Sequence, residues 1–337
     1  MSGIPTSDEL ARDARWLVQA IGTETGLVRI VEMDREAYRQ ASFLDDRMFQ
    51  IERNRMPVPW DFIDQASRLM TRRDARWIFH ISHVGSTLLS RLLGEVPNVL
   101  SIREPRFLRD IVPTSPSSRA TFLPNGQLLF SRTFAADEVA IVKTTSFVSE
   151  IASELVPPSG RALFMYVDAS SFIPTMLGGE HSKPELSHRA ADRAQRLEKR
   201  GIVFPEARGD ADLAAAAWAC EMTSLEAAAA EAMPDRHIGW VDFDEMLKDV
   251  PGALARSAKL LGIEASQEQL DAIANGPLLG RYSKALEHEY SPGLRQRVIR
   301  QAMVRYEPEI HAALAMLNAA AEKSPLLARA LARSGEN

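Results

Sequence analysis

The chain changes character at Arg76. Trp77-Ile78-Phe79-His80-Ile81 is a short, nearly continuous apolar run, as expected of a strand buried on both faces. A turn with Gly85 follows, and then Leu88, Leu89, Leu92 and Leu93 recur at helical spacing. The pattern repeats. Asn98 to Ile102, Val139 to Val142, Ala162 to Val167 and His237 to Val241 read as further strands, with helix predicted over Ser171 to Leu177. Strands alternating with helices predict a three-layer α/β sandwich with a central parallel sheet and right-handed crossovers. Ligands of such sheets sit beyond the carboxyl ends of the strands. The strand-end residues Gly85, Glu104, Lys143, Asp168 and Asp242 are therefore candidates for one site, although they lie far apart in the chain.

The flanks read differently. Residues 1–75 are expected to form a mainly helical extension packed on the core formed by 76–337. Ser7 is placed as the N-cap of a helix over Asp8 to Ile21, Gly26 to Met33 as a short strand, Asp34 as a helix start, and Trp60 to Arg72 as a helix. The region after Val250 reads as additional helix except around Gly276 to Pro292, and no internal repeat is found. Between Gly178 and Gly209 lies a polar stretch containing His181, Lys183, His188, Arg189, Arg193, Arg196, Lys199 and Arg200. It reads either as a solvated helix and loop or as a mobile lid over the site.

Composition narrows the function classes. Of 337 residues, 45% are hydrophobic and 25% charged, near the globular average, and the formal net charge is −5. Such a chain has no global field to concentrate DNA or RNA, so no nucleic-acid partner is expected. Cys220, the only cysteine, offers neither a disulfide nor a multi-thiolate metal site, and reads as a small buried hydrophobe. Met1 to Thr23 lacks the apolar core of a signal peptide, and the Ala-rich stretch Leu213 to Ala232 is interrupted by Glu221, Glu226 and Glu231. No membrane partner is expected, and the chain reads as cytoplasmic.

The chemistry concentrates at Ser82-His83-Val84-Gly85-Ser86-Thr87. A helix opening directly after a strand presents unpaired N–H groups and a positive dipole end, which suit a phosphate or sulfate. Gly85 permits close approach of the backbone, and Ser86 and Thr87 can add hydroxyl donors. The nucleotide-triphosphatase loop is G-x-x-x-x-G-K-[ST]. Here His80 stands at its first Gly and Ser86 at its Lys, which argues against an ordinary ATPase or GTPase.

These residues resemble the sulfotransferase family, whose modified P-loop, P-[KR]-x-G-[ST]-T after a strand, holds the 5′-phosphosulfate of 3′-phosphoadenosine 5′-phosphosulfate (PAPS). Ser82 replaces the Pro and His83 takes the basic position. Leu88 to Leu93 is similar to the family's first helix. Asn98 to Pro105 resembles the second strand and loop of its bacterial and tyrosylprotein-type members, in which a Glu is the base; Glu104 falls at that point. Ile141 to Thr145 resembles the K-T-H segment of cytosolic members, with Thr145 at the His. At the second cofactor motif Val167 stands for the Arg and Thr175 for the Ser that hold the 3′-phosphate, and Gly280 to Lys284 resembles the loop that closes over it. Val241 to Leu247 is similar to a Y-E-D-L structural segment.

The resemblance spans about Arg76 to Tyr290 and implies a P-loop-type fold and PAPS as co-substrate, with no metal. It implies Ser82, His83, Val84, Gly85, Ser86, Thr87, Thr175, Arg281 and Lys284 as cofactor-binding residues, with Glu104 as base and His83 and Lys143 facing the leaving phosphate. The acceptor would be the hydroxyl or amine of a small molecule or peptide. Blander roles stay open: Glu104 paired with Arg103 or Arg106, His83 as a neutral loop residue, Lys143 as a structural charge. So do two other functions, a small-metabolite kinase using Asp168 as a Mg²⁺ carboxylate and a non-catalytic nucleotide-binding protein.

Overall fold

A computed structural model describes residues 3–47, 55–179, 182–231, 235–279 and 292–335. Eight strands lie among the described residues. β1 (Trp16–Gly22), β2 (Leu27–Glu32) and β3 (Arg55–Pro59) form an antiparallel sheet in that order. β4 (Arg76–His80), β5 (Val99–Arg103), β6 (Val139–Lys143), β7 (Arg161–Tyr166) and β8 (His237–Asp242) form a second sheet in the order β5-β6-β4-β7-β8, parallel throughout. The protein is thus α/β, with a five-stranded parallel sheet flanked by helices. Helices Ser86–Leu93 and Val250–Leu261 pack together on one face, and helix Asp210–Ala230 crosses the other. Four of the five apolar runs are buried along nearly their whole length, because both faces of the sheet are covered.

The chain leaves β4 and reaches β5 by passing beyond β6, then returns through β6 and continues to β7 on the opposite side of β4. The sheet therefore changes direction around β4, and its ligand crevice belongs at that strand's carboxyl end. Register aligns the neighbouring strand ends there: Arg103 lies opposite Lys143, and Ile78 opposite the same Lys143 on the other side of β6.

The amino-terminal expectation needs correction. The first helix runs only over Ser7–Arg12, capped by Thr6 in a capping box with Glu9. The Asp8 to Ile21 helix fails because Trp16 to Ile21 are six consecutive buried residues. A helix on a surface buries one stripe, whereas a strand clamped between layers buries both faces. Gly26, at φ 65°, turns the chain into β2, which falls within the anticipated Gly26 to Met33 segment. β3 was not anticipated. Its Pro57 and Pro59 are tolerated because β3 is an edge strand, paired with β2 alone. The helix anticipated over Trp60 to Arg72 ends at Ser67.

The polar stretch is helical over Ser182–His188 and Ala190–Lys199; His181 lies outside the described residues. Arg193 and Arg196 are buried against helix Asp210–Ala230, with Arg193 Nε 3.7 Å and Arg196 Nη1 3.5 Å from Glu221 Oε1. Arg196 Nε also donates to Glu150 at 2.8 Å. Cys220 is wholly buried on the same helix, and burial pushes its thiol up to about 12, so it behaves as a small inert side chain. No helix among the described residues is long and apolar enough to cross a membrane.

Removing one partner of a buried charge cluster strands the others in low dielectric. Glu221→Gln is therefore expected to cost about 3–5 kcal/mol of unfolding free energy in urea denaturation. A loss under about 1 kcal/mol would contradict charge pairing as what fixes helix Ala190–Lys199 to the body.

Candidate functional site: an oxyanion cradle beside a buried carboxylate–lysine pair

β4 ends where Ile81 N–H donates to Met165 O at 3.1 Å. The turn that follows reverses twice, with His83 at φ 62° and Gly85 at φ 64°. Left-handed residues interspersed in a turn aim successive N–H groups into one concavity, an arrangement suited to anions. The helix Ser86–Leu93 starts without any side-chain cap. Among the described residues the main-chain N–H groups of Val84, Gly85, Ser86 and Thr87 make no hydrogen bond. Two hydroxyls nearby are in the same condition: Ser82 Oγ and Thr145 Oγ1 are buried with no partner. A buried polar group left unpaired costs roughly 1–3 kcal/mol, so this concentration of unused donors marks the place for a polar ligand. Gly85 is required twice over. Its φ is left-handed, and a Cβ there would fall 2.0 Å from Cε2 of the Phe243 ring that packs on it.

Beside the turn lies a buried charge pair. Lys143, at 1% exposure, directs Nζ to Glu104 Oε1, and Arg47 Nη2 donates to Glu104 Oε2 at 2.6 Å. Glu104 itself sits at φ 53°, fixed by its N–H donating to Lys143 O at 2.6 Å. Burial pushes the Glu104 carboxyl up, but Lys143 and then Arg47 outweigh it and hold it at about 2. The alternative partners are engaged elsewhere. Arg103 donates to the carbonyls of Tyr38, Arg39 and Ala41, and Arg106 binds Asp110 and Asp46. His80, where a nucleotide loop has its first Gly, is buried between backbone carbonyls. Its Nδ1 lies 2.8 Å from Ile81 O and its Nε2 2.9 Å from Thr144 O, and burial followed by Lys143 pushes its pKa down to about 3.

The remaining sequence candidates fall around this centre. His83 Nε2 lies 3.6 Å from Glu185 Oε2, and Glu185 in turn accepts from Arg193 at 3.1 Å. The helical segment 182–199 thus reaches the turn. Val167 is buried, and its carbonyl accepts from Trp218 Nε1 at 2.9 Å. Asp168 is committed to capping helix Ala169–Gly178, accepting from Ser171 N at 2.6 Å. Thr175 Oγ1 donates to Ser171 O at 2.7 Å and accepts from Arg295 Nη1 at 3.2 Å. Arg281 and Lys284 lie outside the described residues.

Sequence reasoning missed three groups: Arg47, Glu185 and Arg295. Arg295 donates to Asp244 as well as Thr175, and its guanidinium sits 5.1 Å from the centroid of Phe243, the ring that covers Gly85. None of the three belongs to a motif. Each reaches the site from an element whose packing is not written in local spacing.

No protein-family model matches the chain, and no curated protein matches it in sequence. Among solved structures, a sulfotransferase domain from the curacin biosynthetic pathway is similar at 11% identity and a TM-score of 0.41, over 69% of this chain and 97% of that one. A mouse sulfotransferase complexed with PAP gives 12% identity and a TM-score of 0.41, over 77% and 89%. A retinol dehydratase in complex with androsterone and PAP gives 12% identity and a TM-score of 0.34, over 93% and 95%. Likenesses this distant assign no family, and the functional reading rests on the site.

The Glu104–Lys143 pair makes a quantitative expectation. Glu104→Gln and Lys143→Met, measured singly by chemical denaturation at pH 7, should each cost about 3–5 kcal/mol, and the double variant clearly less than their sum. Because the folded carboxyl is depressed, its contribution is full above its ordinary 4.5 and disappears as pH falls toward about 2. Strict additivity, or wild-type stability lost entirely above pH 5, would contradict the pairing.

Proposed function

We propose that this protein is a sulfotransferase, moving a sulfuryl group from PAPS to a hydroxyl or amine of a small-molecule or peptide acceptor. The observation that carries this reading is the juxtaposition at three adjacent strand ends: unpaired amides after β4, the buried Thr145 hydroxyl after β6, and the Glu104–Lys143 pair spanning β5 and β6. The P-loop-like motif supplies the chemical class. A triphosphate would need a loop lysine at Ser86 and a carboxylate for its metal, yet Lys143 is held by Glu104 and Asp168 caps a helix.

The residues divide as follows. The amides of Val84 to Thr87, with Ser82 and the hydroxyls of Ser86 and Thr87, hold the phosphosulfate. Thr175 and Arg295 receive the 3′-phosphate, Arg295 standing in for the donor absent at Val167. Arg281 and Lys284 remain assigned to the same phosphate by the motif. In the transfer, the acceptor oxygen forms the new S–O bond as the S–O bond to the 5′-phosphate breaks; the acceptor proton goes to Glu104, and His83 donates to the leaving phosphate. A carboxylate at about 2 is a weak base in the free protein. An anionic donor beside Lys143 competes with Glu104 for the ammonium, and losing that partner raises the carboxylate's proton affinity. Lys143 thereby serves the base before transfer and the developing charge during it.

Calorimetry with 3′-phosphoadenosine 5′-phosphate (PAP), against ATP with Mg²⁺, tests the assignment. Saturable binding of PAP in preference to ATP is expected; preference for ATP with Mg²⁺ would favour a kinase, and binding of neither a non-catalytic protein. Arg295→Gln should weaken PAP by about tenfold or more while leaving adenosine 5′-phosphosulfate, which lacks the 3′-phosphate, unchanged. Equal weakening of both would remove Arg295 from that subsite. Once an acceptor supports turnover, Glu104→Gln should bind PAP at least as tightly and lose about 10²–10⁴ in rate. Near-normal transfer would eliminate Glu104 as the base.

A further inference from the structure

Beside Glu104 and Thr145 opens a cavity of about 380 Å³ whose other walls include Asp45, Arg109, Phe147 and Arg189. A second substrate entering it would face the Glu104 carboxylate. We infer that the acceptor carries an anionic group besides its reacting hydroxyl or amine, and that Arg109 and Arg189 recognise that anion. The inference rests on the sulfotransferase reading for the word acceptor, and on the cavity for the charge.

Every carboxylate on the wall is committed. Asp45 takes the fork of Arg47, with Nη2 at 2.7 Å, and Glu104 takes Lys143 and Arg47. Asp46 is bound by Arg106, and Glu185 accepts from Arg193 at 3.1 Å. Two guanidinium groups on the wall make only long ion pairs. Arg109 stands 3.9 Å from Asp45 and 3.8 Å from Asp46, and its side chain makes no hydrogen bond among the described residues. Arg189 stands 3.8 Å from Asp192 and 4.4 Å over the face of Phe147, likewise without a side-chain hydrogen bond among the described residues. Each presents five donors in a planar fork matched to carboxylate or phosphate oxygens.

Phe147 is the single aromatic on a wall otherwise made of charged and hydroxyl groups. A flat apolar alcohol entering here would strip water from both guanidinium groups and return nothing. A polar alcohol bearing a carboxylate or phosphate would replace that water with charge-assisted hydrogen bonds and fix its own orientation toward Glu104. The ammonium of Lys143 and the cradle amides then remain reserved for the donor. Discrimination follows because the wrong partner displaces water from both half-buried guanidinium groups without replacing its hydrogen bonds.

The test uses two matched series on the full chain loaded with PAP: glucose, glucuronate and glucose 6-phosphate, and 4-methylphenol against 4-hydroxyphenylacetate. Binding is read by calorimetry. In at least one series an anionic member should bind about tenfold more tightly than its neutral counterpart. Arg109→Gln and Arg189→Gln should each erase most of that preference with PAP affinity unchanged. The two sugar anions separate carboxylate from phosphate recognition. Neutral members binding as well as anionic ones in both series, no binding by any anionic member, or discrimination that survives both substitutions would overturn the inference. If PAP itself fails to bind, the sulfotransferase reading falls. The same compounds titrated into the nucleotide-free protein then decide the anion preference on its own.

Discussion

Lys143 is buried to 1% exposure at the end of an internal strand, and an ammonium in that position needs an anion. Its partner is fixed by backbone geometry. The parallel register sets Arg103 opposite Lys143, and the Glu104 N–H closes on the Lys143 carbonyl at 2.6 Å, holding Glu104 in a left-handed conformation. The carboxylate is thereby delivered to the ammonium, and the ends of β5 and β6 are locked side by side next to the turn leaving β4. The pair is consequently a structural constraint that holds a carboxylate and an ammonium in contact at the strand ends.

The turn complements that pair by offering donors without charge. A chain with a net charge of −5 cannot attract a multiply charged anion through its overall field. It can hold one through amides, hydroxyls and a helix start, whose partial charges act only at contact. Glycine at position 85 lets the turn close against Phe243, and the Arg295 guanidinium lies over that same ring. One aromatic ring therefore sets the spacing between the amide cradle and the cation that touches Thr175. Helices 182–188 and 190–199 complete the enclosure, tied to the body through Glu221 and Glu150 and to the turn through Glu185 and His83.

Legibility in the sequence followed burial. Strands sealed between two helical layers appear as continuous apolar runs, so β4 to β7 and the turn after β4 could be read from residue types alone. β1 is equally buried, but its Trp16 to Ile21 run includes Gln19 and follows a genuine helix start, and it was absorbed into a helix. β3 carries two prolines that only an edge strand accepts. Within the site, Glu104, Lys143 and the turn were recoverable because each follows a strand directly. Arg47, Glu185 and Arg295 were not, since tertiary packing alone brings their helices and loops to the strand ends. The partner assigned to Glu104 was missed for the same reason: neighbours in sequence, Arg103 and Arg106, turn to carbonyls and aspartates, while the real partners come from β6 and from residue 47.

The central claim is that main-chain amides at the start of the Ser86 helix bind an oxyanion of the donor nucleotide. Amide ¹H–¹⁵N spectra recorded through a PAP titration address it directly. The account predicts large, saturable shifts of the Val84, Gly85, Ser86 and Thr87 resonances with one common dissociation constant. Saturable binding of PAP that leaves those four amides unmoved, while shifting resonances elsewhere, would contradict it.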